Sequence, residues 1–476
     1  MLKSRLCIAF FAFAVGCAPA QKPLTDYVNP MLGTATLWDS VDLGFKPTKR
    51  TWGAEVFPGS SLPNAMVQVS PVTKFHSGAG YQYEDSVIYG FTHTNKGHWN
   101  LCHIPLLPVT GTPTPGDYCS PFSHERESAA PGYYQVFLDR YGVDAQLSST
   151  LRCAFHKYTY PAGAAPAVLA DLQRSNEHVR AWDIRKEGDN VFAGWQQTGE
   201  KMYFYAVANR PVTGIEPVVE GDREVRIVRF GEGDGALELR IGFSFVSEKN
   251  ARENLEAEML GKSFAEVRSE ATATWNDLLG RIRVEGGTER EKGLFYSSLY
   301  RSFLWPALRS DVNGEFTDVD GKVINPGFRY YTGPSYWDDY RNKLILLGML
   351  APDVAADVIS SDVDKGEKRG GFMPTFFHGD HASAFVAGTY LRGNRGFDVN
   401  RAYNLVLRNA TVQGPSRPWL DEYVAKGYIS EMDVENPVTW TVCKAAVTKT
   451  LEYSYDDYAV ALLADALGDK ENRDML

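Results

Sequence analysis

The sequence predicts a β-sandwich followed by a helical half, and three features carry that prediction. From about residue 26 to 245, apolar and polar residues alternate in short runs broken by clusters of Gly, Asp and Asn, the pattern of half-buried antiparallel strands. From Glu248 to Leu279 the chain turns charged and Ala-rich, with Trp275 and Leu279 four apart as on one helix face. Beyond that the apolar period is three to four, and 476 residues are enough for two to four domains.

The first residues read as an export signal. Lys3 and Arg5 precede an apolar run from Cys7 to Gly16, and Cys17-Ala18-Pro19-Ala20 supplies small residues for cleavage. Ala14-Val15-Gly16-Cys17 also fits a bacterial lipobox, in which Cys17 carries the lipid; cleavage near Ala20 and acylation of Cys17 stand level. The run is shorter than the roughly 20 apolar residues that span a bilayer. The expectation is an exported protein, periplasmic or held on the outer membrane by lipid, with residues 1–20 as its signal and no transmembrane segment.

Tyr133 to Asp139 and Val143 to Leu147 flank Asp139-Arg140-Tyr141-Gly142 as a hairpin, and Leu151 to Tyr160 continues it. Further strands are predicted at Val191 to Gln197, Met202 to Asn209, Glu224 to Phe230 and Ala236 to Phe245. Many short strands at this spacing pack as two antiparallel sheets. In the second half Phe295, Leu299 and Phe303 recur every four residues before Pro306. Tyr340, Leu344, Leu347 and Leu350 do the same before Pro352, and both prolines read as stops. Ala382 to Tyr390 is an apolar helix, and Asp398 caps one carrying Ala402, Leu405 and Val406. The longest helix runs from about Thr439 to Leu467, with Val447, Leu451, Tyr455, Tyr458 and Leu462 on one stripe and Gly468 at its end.

Composition narrows the function. Hydrophobic residues at 44% and charged residues at 23% exclude a disordered chain, and a net charge of −10 without a basic run speaks against a nucleic-acid partner. Aromatic residues at 13%, mixed with polar ones, suit stacking against sugar faces. Cys102, Cys119, Cys153 and Cys443 are too few and scattered for a disulfide scaffold; buried thiols are the simpler reading, with a Cys102–Cys119 pair left open. No GxSxG, no GxGxxG after a strand and no Walker A loop occurs.

Four clusters carry chemistry. Tyr336-Trp337-Asp338-Asp339-Tyr340-Arg341 opens a helix after Thr332-Gly333-Pro334-Ser335: an indole to stack on a sugar, with Asp338 and Arg341 to bind its hydroxyls. The plain alternative is a helix N-terminus whose carboxylates serve the helix dipole. His378 and His381 flank Gly379-Asp380 without a third ligand at a metal spacing. His93, His98 and Trp99 cluster between Gly90 and Asn100, in a polar loop able to reach a neighbouring domain. Asp456-Asp457, one turn after Glu452, are carboxylates of the kind acid–base glycoside chemistry uses. Their plain reading puts one in solvent and the other on a packed neighbour.

Together the motifs resemble glycoside hydrolase family 92, the exo-acting α-mannosidases. Val28-Asn29-Pro30-Met31-Leu32-Gly33-Thr34, Phe57-Pro58-Gly59, Met66-Val67-Gln68-Val69-Ser70-Pro71 and Gly90-Phe91-Thr92-His93-Thr94 are similar to its N-terminal domain. Ser335-Tyr336-Trp337-Asp338-Asp339-Tyr340-Arg341 resembles its S-x-W-D-T-Y-R element. Lys426-Gly427-Tyr428 and the segment from Thr450 to Tyr458 resemble its later G-Y-x-P and T-L-E-Y-A-Y-D-D-W elements. The resemblance implies a multidomain β-plus-α chain: a sandwich at 24–246, a helical linker at 247–279 and an (α/α)6 barrel from 280, with the site between sandwich loops and barrel mouth. It implies calcium-dependent, inverting removal of terminal α-linked mannose from glycans, with substrate-binding residues Trp337, Asp338, Arg341, His93 and Trp99 and calcium ligands unassigned. Inversion takes an acid and a base about 6.5–9.5 Å apart.

This sequence also departs from the family pattern. Gly33-Thr34-Ala35-Thr36-Leu37-Trp38 replaces a G-T-G-G-x-G-H-T element, an insertion runs through Trp52-Gly53-Ala54-Glu55-Val56, and Leu62-Pro63-Asn64-Ala65-Met66 stands for P-F-G-M. No E-G-N, N-E-P or late acidic element follows Trp337. The expectation is an incomplete barrel over 280–476 in a truncated chain, inactive alone, whose acid and base belong beyond Leu476. Two other readings are a surface glycan-binding lipoprotein without catalysis and a disaccharide phosphorylase of sandwich-plus-(α/α)6 type.

Overall fold

The computed structural model describes residues 22–36, 44, 54–96, 99–431 and 444–476. The 1–20 segment with Cys17, and Trp52, His98 and Cys443, lie outside the described residues, as does the side chain of Trp99.

Period-two patterning becomes two antiparallel sheets. One runs, in spatial order, Ala181–Gly188, Val191–Gln197, Lys201–Ala208, Leu237–Ser244, Cys153–Thr159, Val143–Ser149, Tyr133–Leu138 and Glu127–Ala130. The other runs Ser60–Ser61, Gln68–Val72, Gly90–Thr92, Leu106–Val109, Ala167–Ala170, Arg223–Phe230 and Val212–Glu220. On Lys201–Ala208, Met202, Phe204, Ala206 and Ala208 are buried while the residues between them are half-exposed, so one face enters the core. The predicted hairpin pairs Leu138 with Val143. Ala181–Gly188 and Val212–Glu220, absent from the sequence reading, close one edge of each sheet. Edge strands are half-solvated, and their charged residues hide the alternation. Cys102, Cys119 and Cys153 are free thiols, so the Cys102–Cys119 pair does not form.

The predicted linker is two helices, α1 (Glu248–Glu258) and α2 (Phe264–Leu279), divided where Ser263 and Glu266 cap each other's backbone. α2 turns Phe264, Val267, Ala271, Trp275 and Leu278 inward. The Trp275 indole N–H donates to the Ser61 carbonyl at 2.7 Å, locking the linker to the sandwich. After α3 (Glu289–Ser302) come α4 (Tyr336–Asp339), α5 (Lys343–Leu350), α6 (Pro352–Lys368), α7 (Ala382–Leu391), α8 (Val399–Thr411), α9 (Leu420–Lys426), α10 (Ala446–Leu467) and α11 (Lys470–Met475). Pro352 does more than stop a helix: it occupies the first turn of α6, where its missing N–H costs nothing. Asp398 caps α8 through the N–H groups of Asn400 and Arg401.

α10 packs on α7 and α8 through a face that carries Lys449, Glu452, Asp456 and Asp457 in its first half and Ala459, Val460, Leu463 and Ala464 in its second. Its apolar stripe faces solvent, with Val447 75%, Leu451 66% and Tyr458 62% exposed, so among the described residues the helices form an open set and not a closed ring. No single helix among the described residues is long and apolar enough to cross a membrane.

The two halves meet along a bonded seam. The Asn64 side chain donates to the Pro306 carbonyl at 2.8 Å, and its backbone exchanges bonds with Phe303 and Leu308. The Gln68 amide donates to the Leu304 carbonyl at 2.7 Å. Asn64 and Gln68 are both buried, so loss of either leaves orphaned polar groups in the interior, and the seam is held in one geometry.

Candidate functional site

The short helix α4 is hung from two tyrosines one turn apart. Tyr336 and Tyr340 are both buried, as i, i+4 neighbours on one helix face. The Tyr336 hydroxyl donates to Asp362, whose other oxygen takes Lys365 at 2.8 Å. The Tyr340 ring stacks on His381 with centroids 3.8 Å apart, and its hydroxyl donates to Glu452 at 3.2 Å. With that face anchored, Asp338 is exposed and Trp337 half-buried.

Asp338 lines a cavity of about 240 Å³ at the seam, together with Ser335, Asp339 and Lys343 from the helical half and Glu55, Val56 and Phe57 from the sandwich. Arg301, Leu304 and Trp305 complete it from the end of α3. Asp339 is held by Lys343 at 3.1 Å. The Arg301 guanidinium donates to the carbonyls of Pro30 and Leu32, at 2.6 and 2.9 Å, and so fixes the Val28–Thr34 motif against the helices; burial pulls its pKa down to about 10. Glu55 lies over Gly78, where an added Cβ would stand 2.3 Å from its Oε2. The cavity thus presents carboxylates, cationic groups and an indole within the space of one pyranose ring.

The other residues singled out in the sequence fall elsewhere. Trp337 does not line this cavity: its ring meets Phe377 edge-on at 6.0 Å and His378 at 6.2 Å. Arg341 turns to Glu452 at 3.4 Å with most of its side chain in solvent. His93 is fully buried, its Nε2 3.0 Å from Nε2 of His156 and its ring 4.5 Å from Phe243. A histidine walled in by sheet residues reaches no sugar. Burial lowers its pKa to about 3 and that of His156 well below the usual value. The backbone of Trp99 sits on the hairpin strand Trp99–Asn100. Glu55 belongs to the insertion marked in the sequence, whereas Arg301, Trp305 and Lys343 were not singled out there, because no spacing distinguishes them from any surface charge or core aromatic; only the tertiary fold collects them.

The paired carboxylates of α10 face inward, and neither is in solvent. Asp456 accepts from the backbone N–H of Asp380 at 2.5 Å and bonds His381 Nδ1 at 2.8 Å. Asp457 pairs with the buried Arg417, which also approaches Asp380 at 3.5 Å. Burial, aided by the Asp456 charge, raises the Asp380 pKa against the pull of Arg417. Asn409 donates to Asp380 at 2.8 Å. This buried network ties α7, α8 and α10 together, although His381 Nε2 and the Arg417 Nε and Nη2 atoms in it have no hydrogen-bond partner. Among the described residues no group of three or more His, Cys, Asp or Glu side chains is placed to hold a metal ion. The calcium ion implied by the family resemblance therefore finds no carboxylate cage among them.

Comparison with known proteins agrees with this two-part architecture. Residues 27–253 match the model of the glycosyl hydrolase family 92 N-terminal domain, and residues 250–476 that of the family 92 catalytic domain. The fold is similar to that of a family 92 α-mannosidase from Bacteroides thetaiotaomicron, with a TM-score of 0.83 and 26% identity over 95% of this chain and 64% of that one. It is also similar to a family 92 inverting mannosidase from the same organism, with a TM-score of 0.80 and 25% identity over 95% of this chain and 64% of that one. An uncharacterized secreted glycosidase of Arthroderma benhamiae is 25% identical, over 94% of this chain and 60% of that protein. The chain spans about three-fifths of the length of these relatives.

Proposed function

Since the chain belongs to glycosyl hydrolase family 92, matching its two domain models in order, we propose that it serves the removal of terminal α-linked mannose from glycans and that its seam cavity holds that mannose. The observation that carries this reading is the meeting of Asp338 and Ser335 with Glu55 and Phe57 in one cavity of about 240 Å³. Support comes from the solved relatives, one of which is described in complex with mannoimidazole. The description of the Arthroderma benhamiae relative as secreted supports an exported protein, in line with the signal read at 1–20.

The residues present account for binding and orientation. Asp338 accepts hydrogen bonds from sugar hydroxyls, with the strength of a charged acceptor. Its place is set by the Tyr336 and Tyr340 anchors and not by its own exposed side chain. Arg301 and Trp305 close the floor, and Glu55 closes the sandwich side. An inverting reaction takes a carboxylic acid on the leaving oxygen and a carboxylate on water; no described pair is assigned to these roles. Calcium belongs to this proposal as a family property.

Calorimetric titration of the chain with mannoimidazole and with methyl α-mannoside tests the reading. Binding is expected to be at least tenfold weaker in Asp338→Asn at an unchanged melting temperature. Wild-type affinity in that variant, or no binding by the wild type at millimolar sugar, rejects the site.

A further inference from the structure

We propose that the sandwich holds a second binding site, separate from the seam cavity, for a sugar that carries an anionic group, a carboxylate or a phosphate ester. The site is a cavity of about 490 Å³ between the loop after strand Gln68–Val72, the segment 84–89 and the loop after strand Ala167–Ala170. It shares no residue with the seam cavity, so the inference does not rest on the mannoside reading.

Arg174 anchors this site. Its guanidinium carbon lies 5.1 Å from the Phe75 ring centroid and 5.3 Å from that of Tyr89, and the two rings meet edge to face at 6.0 Å. Nη1 donates to the Tyr118 hydroxyl at 3.3 Å, which in turn donates to the buried Asp171 at 2.6 Å. Arg223 already holds Asp171 at 2.7 Å, whereas Arg174 stands 3.9 Å from it. Two guanidinium groups on one carboxylate leave a positive charge over, and 34% of the Arg174 side chain is exposed to carry it.

Lys74 and His76 line the same cavity, and among the described residues neither side chain has an acid partner. His76 has φ +61, in the left-handed region that a side chain enters at a cost. A clamp imposes that cost: the His76 N–H donates to Asn176 Oδ1 at 2.6 Å, and the Asn176 amide donates to the carbonyls of Ser77 and Asn100 at 3.0 and 2.6 Å.

The segment 84–89 supplies acceptors. Asp85 takes the Thr73 hydroxyl at 2.8 Å, and Glu84 takes the N–H and the hydroxyl of Thr36 at 2.7 and 2.8 Å, so both carboxylates are fixed in place. An inorganic anion would bring these two carboxylates no donor and leave the rings unused. A neutral sugar would leave the charges of Arg174 and Lys74 unanswered. A pyranose with one acidic group meets all three demands: its anion suits Arg174 and Lys74, its hydroxyls suit Asp85 and Glu84, and its C–H face suits Phe75 and Tyr89. In a chain of a glycoside hydrolase family, such a skeleton is the one at hand.

Calorimetry at low salt on the full chain compares glucuronate, glucose 6-phosphate and glucose. One acid sugar is expected to bind about tenfold more tightly than glucose; a tighter glucuronate identifies the carboxylate as the recognised group, a tighter glucose 6-phosphate the phosphate. Lys74→Ala should weaken that binding about fivefold at an unchanged melting temperature, the scale of one exposed ionic contact. Arg174→Gln should remove the preference over glucose, and if it also lowers the melting temperature the Lys74→Ala result decides alone. Asp338→Asn, in the seam cavity, should leave acid-sugar affinity unchanged. The proposal is overturned by equal affinity for acid sugars and glucose, by a preference that Lys74→Ala leaves intact, or by inorganic phosphate or leucine binding as tightly as the acid sugar. Loss of acid-sugar binding in Asp338→Asn overturns it too, because that result places the ligand at the seam.

Discussion

The buried His93–His156 pair makes a quantitative demand on stability. Both rings lie at 0% exposure and face each other through Nε2 at 3.0 Å, a contact that accommodates one proton only. Burial lowers the His93 pKa to about 3, and its neighbour's likewise falls well below the usual value. An unfolded histidine titrates near 6.5. Between these values the unfolded chain binds protons that the native one refuses, so the stability from neutral burial is complete above pH 6.5 and is lost as the pH falls toward 3. Going from pH 7 to pH 5 costs about 2 kcal/mol for each such histidine, about 4 kcal/mol for the pair. Carboxyls whose pKa desolvation raises, such as the buried Asp311 and the half-buried Asp357, both at about 6, act in the opposite sense, because their stability contribution falls as the pH rises. The measurement is therefore differential. Urea midpoints are taken at pH 7 and pH 5 for wild type, for His156→Gln and for the His93→Gln, His156→Gln double variant. The acid loss should shrink by about half of that 4 kcal/mol in the single variant and by nearly all of it in the double. Equal losses in all three proteins would mean that both histidines titrate as surface groups in the native state, which would return His93 to the list of sugar ligands.

Gly78→Ala drives a methyl group into the Glu55 carboxylate, 2.3 Å from Oε2, and the flexible side chain yields before the backbone does; methyl α-mannoside affinity should fall severalfold by calorimetry with the melting temperature kept within a few degrees. Asp456→Ala strips the partner from His381 and from the Asp380 N–H in a site closed to water; breaking a buried charged network of this kind costs about 3 kcal/mol, read as a lower urea midpoint. The outward stripe of α10 should bind a hydrophobic dye such as ANS, and Leu451→Lys with Tyr458→Lys should abolish most of that signal at little cost in stability, since those side chains are 66% and 62% exposed.

The architecture was legible because alternation and helical period are written residue by residue: the hairpin at 133–149 and the cap at Asp398 follow from local rules. The strands that escaped are of two kinds: the solvated edges at 181–188 and 212–220, and short, fully buried strands such as 106–109 and 167–170, where no polar residue alternates with the apolar ones. The site was legible only in part. The element around Trp337 and Asp338 announces itself by composition and the insertion carrying Glu55 by its departure from the family pattern, whereas Arg301 and Lys343 acquire a role only when distant segments meet. His93 shows the reverse error: a polar residue in a polar-looking stretch can be the inward residue of a sheet, and burial is invisible to composition.

α10 carries that lesson furthest. Its stripe of Val447, Leu451, Tyr455, Tyr458 and Leu462 lies outward, while its inward face mixes Tyr453, Ala459, Val460, Leu463 and Ala464 with the ionic Lys449, Glu452, Asp456 and Asp457. What compensates their burial comes from other elements: His381 and the Asp380 backbone before α7, and Arg417 before α9. A buried ionic cluster contributes little net stability compared with apolar packing, but it admits few alternative arrangements, because any slip leaves a charge unpaired. The same bonds that seat α10 are those that clamp Asp380 and His381, and His381 in turn stacks under Tyr340 of the element that carries Trp337 and Asp338. The buried ionic residues of α10 therefore help to set the geometry of the element that carries Trp337 and Asp338.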